Sequence, residues 1–177
     1  MTTHMDGTFD FCGSCAANNN CCVRTRHGFG QVANPPLLPH EEVVIAAHTG
    51  LRIEDFAEPT VPSGNGVAIK REGEGCYFYQ GGRCAIYAKR PFDCRIFPFD
   101  IIERQGDLFW IVYTSLCPIN FDSDRYLASA KQALRDSDVQ RTDLITFTRH
   151  GREEMSRHPF KILEKLILER QDEPASA

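Results

Sequence analysis

The chain has 177 residues, 42% hydrophobic and 25% charged, enough for one ordinary globular core or a small module with a helical extension. Its formal charge of -4 and pI near 5.9 come with scattered basic residues and no basic run, so no nucleic-acid partner is expected. Met1 to Gly7 lack a secretory leader pattern, and no segment reaches the roughly 20 apolar residues a membrane helix needs, so the expectation is a cytoplasmic protein with no membrane partner.

Taken in order, Pro39, the acids Glu41 and Glu42, and Gly50 are start and stop signals for a helix over Pro39 to Thr49, with a further turn at Arg52 to Phe56. Glu58 to Gly66 reads as a loop. Strands are expected at Val67 to Lys70, Cys76 to Tyr79 and Cys84 to Tyr87, the last two joined by a turn at Gln80 to Arg83. Arg90-Pro91 opens one helical turn through Cys94, and Pro98 closes it. Phe99 to Glu103 and Leu108 to Thr114 form a hairpin about Gln105-Gly106-Asp107, with Phe109 and Trp110 as core residues.

A composition break near Phe121 separates this cysteine-rich part from a tail that reads as helical. Asp124 to Asp136 carries Tyr126, Leu127, Ala130 and Leu134 at helical spacing; Thr142 to Arg157 follows. A last helix is expected after Pro159, with Phe160, Leu163, Leu166 and Ile167 on one face, before a frayed end at Gln171 to Ala177. The expected fold class is α+β. Residues 1–120 form a small cysteine-rich metal-binding module with short β-hairpins and a helix, 121–170 a helical C-terminal segment packed on it, and 171–177 a disordered tail.

Eight cysteines carry the chemistry: Cys12, Cys15, Cys21 and Cys22 in one group, Cys76, Cys84 and Cys94 in a second, and Cys117 alone. In a reducing cytoplasm such cysteines are ligands or catalysts in preference to disulfides. A soft or borderline metal takes several thiolates, and Cys12-Gly13-Ser14-Cys15 offers two at little cost in loop entropy. The same tetrapeptide could be a redox dithiol, but that needs a strand before and a helix after, where Ala16 to Cys22 offers a loop. Adjacent Cys21 and Cys22 point to opposite sides of an extended segment and suit two metals, or one ligand and one packing residue.

Loop register decides whether Cys76 and Cys84 share a metal. A two-residue turn at Gly81-Gly82 pairs Tyr79 with Cys84 and puts the two cysteines on opposite faces; an odd-length loop puts them on the same face. Cys94 and Cys117 would close the set from other elements, and Cys117-Pro118 echoes the end of ferredoxin ligand runs. Two zinc sites of four thiolates each, or one four-cysteine iron-sulfur cluster, are both possible. Arg24, Arg90 and Arg95 stand beside candidate ligands, as charge compensation or as ordinary ion pairs. His27, His40, His48, His150 and His158 show no finger-like pairing with the cysteines.

Phe11-Cys12-x-x-Cys15 with Cys21-Cys22, the stretch Gly75 to Tyr87, and above all Arg90-Pro91-Phe-Asp-Cys94-Arg95-Ile-Phe-Pro98-Phe99 resemble the YkgJ-like CxxCxxCC cysteine-cluster family, a zinc- or iron-chelating domain. The resemblance runs from about Phe9 to Pro118 and marks all eight cysteines as candidate chelators. Two departures stand out: Ala16 to Asn20 separate Cys15 from the vicinal pair, and Ile119 follows Cys117-Pro118 where the family often has glycine. What this implies is a metal-chelating protein with zinc or iron, including an iron-sulfur cluster, held in a structural or accessory role, its helical tail meeting a protein partner. The alternative is an iron-sulfur redox protein or a protein-lysine methyltransferase related to flagellin N-methylases. Methyl transfer lacks a strand, glycine turn and helix for the donor; Gly64-Asn-Gly66 stands before a strand, the wrong order. No stand-alone catalysis is expected.

Overall fold

The computed structural model describes residues 22, 34–60, 66–73, 75–81, 83–116, 122–137, 139–149 and 155–168. The first helix, α1 (Glu41–Thr49), stops at Gly50, whose left-handed backbone (φ 73) lets its N–H return to the Ala46 carbonyl at 2.8 Å. It buries Ile45 and leaves Val43 and Val44 exposed. A single turn, α2 (Ile53–Phe56), follows as the sequence predicts. Strands β1 (Pro36–Leu37), β2 (Ala57–Pro59) and β3 (Val67–Ile69) form an antiparallel sheet ordered β1-β3-β2. Glu58 and Pro59 thus belong to a strand, not to the expected loop; β2 is an edge, where a proline removes no ladder bond that matters.

Two short ladders come next, β4 (Arg71–Glu72) with β5 (Gly75–Cys76) and β6 (Tyr79–Gln80) with β7 (Arg83–Cys84). The single strand expected over Cys76 to Tyr79 is broken at Tyr77–Phe78, because Phe78 turns inward, 2% exposed, onto the ring of Phe56 at 5.3 Å. The strand expected from Cys84 to Tyr87 likewise ends at Cys84, and a 3-10 turn occupies Tyr87–Lys89. Helix α3 (Phe92–Ile96) carries Cys94 where the sequence places it.

The main sheet is a hairpin of β8 (Phe99–Arg104) and β9 (Asp107–Tyr113), closed by Gln105 (φ 54) and Gly106 (φ 84), the pair of positive φ values a two-residue turn requires. Helices α4 (Ser123–Arg135) and α5 (Arg141–Arg149) follow; of the residues expected to extend the second of these, 150–154 lie outside the described set. The last helix expected after Pro159 is instead a strand, β10 (Phe160–Lys165), giving the sheet order β10-β9-β8. Phe160 pairs with Tyr113 and Ile162 with Ile111, with a register shift between Ile162 and Glu164. The three- and four-residue spacing there is a weak local signal, and it loses to the unpaired N–H and C=O edge of β9, an apolar strand that needs a second partner.

Alternation along β8 and β9 sends Ile101, Leu108, Trp110 and Val112 to one face, where they pack with Leu127, Ala130 and Leu134 of α4, Leu144 and Phe147 of α5, and Phe92 and Ile96 of α3. Residues on both sides of position 120 therefore share one core. Each of its fully buried large side chains contributes about 1.5–3 kcal/mol of burial, which holds short helices that would not stand alone. A second core gathers Leu37, Ile45, Phe56, Ile69, Phe78 and Ile86 around the small sheet and ladders, and Cys76 is part of it. No helix among the described residues is long and apolar enough to cross a membrane.

Candidate metal centre

Four of the eight candidate chelators, Cys22, Cys76, Cys84 and Cys94, fall within the described residues; Cys12, Cys15, Cys21 and Cys117 lie outside them, as do Arg24, His27 and His150. Cys76 ends β5 and Cys84 ends β7, both against the second core, while Cys94 sits on α3, which is anchored in the main core by Phe92 and Ile96. The Cys76 amide donates to the Cys22 carbonyl at 2.7 Å, tying Cys22 to β5.

Tyr79 does pair with Cys84, the register of a two-residue turn. The consequence drawn from it, opposite faces for Cys76 and Cys84, does not hold, because the chain bends at Tyr77–Phe78 and Cys76 is not on the same strand as Tyr79. Cys22, Cys76 and Cys84 each lie near enough to Cys94 to act on its thiol electrostatically. Burial pushes the Cys94 thiol well above its ordinary value, and Asp93, Cys22, Cys76 and Cys84 each raise it further. Cys76 is raised by burial and by Cys84, and Cys84 by burial.

Against that burial stands a repeated arrangement that favours the thiolate. The amide of Phe78, two residues on, donates to the Cys76 sulfur, and Arg71 faces it from the opposite strand, in register Arg71↔Cys76. Correspondingly, the amide of Ile86 donates to the Cys84 sulfur, and Arg90 faces it with its guanidinium 4.1 Å over the Tyr87 ring. Arg71 is itself aimed, its Nε donating to Asn34 Oδ1 at 2.8 Å while Asn34 Nδ2 donates to Glu58 at 2.7 Å. Soft sulfur donors with preset N–H donors and compensating cations fit a zinc or iron ion. Among the described residues, no three His, Cys, Asp or Glu side chains are placed to hold an ion by themselves.

Two residues the sequence did not mark belong to this region. Arg71 needed the β4–β5 register to be placed beside Cys76. Glu41, expected only as a first-turn acid of α1, is 9% exposed and turned inward, accepting from the Phe92 amide at 2.7 Å. Burial pushes its carboxyl up, against the Leu38 and Phe92 N–H donors and Arg95, which lower it. Arg95 resolves as a partner of Glu41 (3.7 Å) and of Ser137 Oγ, to which it donates at 2.8 Å. His158 is a buried core residue, edge-on to Tyr113 at 6.4 Å.

An α+β chain that brings cysteines of separate elements near Cys94 has the make-up of a cysteine-cluster protein. The family model CxxCxxCC, described as "Putative zinc- or iron-chelating domain", matches residues 11–118, and the chain belongs to that family. No curated protein and no solved structure gives a significant match.

Proposed function

We propose that the protein chelates zinc or iron through thiolates, with Cys22, Cys76, Cys84 and Cys94 as ligands and the remaining ones drawn from Cys12, Cys15, Cys21 and Cys117. The observation that carries this is the shared environment of Cys76 and Cys84: each sulfur receives a backbone N–H from two residues on, each faces an arginine, and both act on Cys94. A bound ion would supply a crosslink among the N-terminal segment, the two-residue ladders and α3, elements too short to hold one another. Structural zinc sites are worth about 10–16 kcal/mol in small peptides, ample for that purpose. The role is structural or accessory, and includes a protein partner at the C-terminal segment, where Ile167 is 79% exposed and Phe160 and Ile162 are 37% exposed.

Elemental analysis of protein purified anaerobically without chelators tests it. Zinc or iron in stoichiometric amount is expected, falling in Cys84→Ser and Cys94→Ser; iron accompanied by acid-labile sulfide identifies a cluster. Metal-free native protein, with both serine variants folded as before, would overturn it.

A further inference from the structure

We infer that Glu41 is a positioning residue for the thiol centre, a buried carboxylate that fixes the helix carrying Cys94; the inference rests on Cys94 being a metal ligand. Helix α3 has five residues and begins at Pro91, whose side chain offers no oxygen to the exposed amides of the first turn. Glu41 supplies it from 51 positions earlier. Its Oε1 accepts from the Phe92 amide at 2.7 Å, and its Oε2 accepts from the Leu38 amide at 2.9 Å. Arg95 Nη2 lies 3.7 Å from Oε1 and also donates to Ser137 Oγ at 2.8 Å.

Cys94 is thus bracketed. Phe92 precedes it by two positions and Arg95 follows it directly, and both are tied to the same carboxylate, which the first residue of α1 carries and which also holds the Leu38 amide just before that helix. With so short a helix, fixing those two neighbours fixes the Cα of Cys94 relative to Cys76 and Cys84. A buried carboxyl is an expensive way to obtain stability, since an apolar residue of like size often does as well; an apolar side chain would not hold the Leu38 and Phe92 amides in one fixed geometry. Metal sites depend on such support: loss of a residue that orients a ligand costs about 10–100-fold in metal affinity.

The test compares native protein with Glu41→Gln, which presents an NH2 group to one of the two amides, and Glu41→Asp, which keeps the charge but is one methylene too short to reach both. Zinc affinity is measured by competition with a chromophoric chelator under conditions where each protein is folded. Trp110, the only tryptophan and fully buried in the main core, reports urea unfolding of the metal-free forms separately. Zinc affinity is expected to fall about 10–100-fold in both variants. Unchanged affinity, with or without a lower urea midpoint, overturns the inference. If Glu41→Gln does not fold, Glu41→Asp carries the same comparison. Cys94→Ser is the control that separates the two proposals: if it leaves zinc affinity intact, the metal reading fails at Cys94 whatever Glu41 does.

Discussion

Phe92 is the hinge between the main core and the helix that bears Cys94, so its truncation measures how firmly the centre is founded. The side chain is 0% exposed and meets Phe147 of α5 edge-on, at 5.6 Å and 62°. Phe92→Ala removes the whole ring from a packed site, a change that costs about 3–5 kcal/mol including the cavity left behind. Against a total stability of about 5–15 kcal/mol for a domain, that brings the metal-free protein near its limit. Phe92→Leu keeps most of the volume and should cost less than about 1.5 kcal/mol. Crossing Phe92→Leu with Phe147→Leu isolates the ring pair, whose geometry is worth about 0.5–1.5 kcal/mol beyond burial. Urea unfolding followed by Trp110 fluorescence gives all of these numbers. A loss below about 1 kcal/mol for Phe92→Ala would mean that α3 is not seated in the core as described, and the support for Cys94 would go with it.

Two further outcomes follow from the charges around the thiols. Burial raises the Glu41 carboxyl, so its contribution to stability is fully present below the unfolded value of 4.5 and is lost as pH rises through the higher folded value. The stability of native protein relative to Glu41→Gln should therefore fall with rising pH across that window in paired urea titrations; a difference that instead grows with pH would show the two amides and Arg95 outweighing burial. Arg71→Gln and Arg90→Gln should each weaken zinc binding about two- to fivefold, by an amount that shrinks in high salt, because partly exposed charges are worth under about 1 kcal/mol. Equal affinities at low salt would leave the arginines as surface residues only.

Local chemistry made part of this structure legible in the sequence. Pro39, the first-turn acids and Gly50 located α1 because caps and dipole act within a few residues, and Gln105-Gly106-Asp107 located the β8–β9 hairpin because the turn demands positive φ. What was not legible depended on contacts far along the chain. Phe160, Leu163, Leu166 and Ile167 satisfy a helical period, and only the open edge of β9 makes the segment β10. The register of Tyr79 with Cys84 was readable, but the bend at Tyr77–Phe78 that brings Cys76 to the same place arises from the burial of Phe78 on Phe56. Glu41 reads in the sequence only as a first-turn acid, because nothing local reveals a partner at Phe92.

X-ray absorption at the zinc edge of the zinc-loaded protein probes the donor atoms themselves. Sulfur scatterers at about 2.3 Å are expected, with a lighter atom replacing one of them in Cys94→Ser. A coordination shell of nitrogen and oxygen at about 2.0–2.1 Å, unaltered by that substitution, would show that the thiols gathered around Cys94 do not hold the metal.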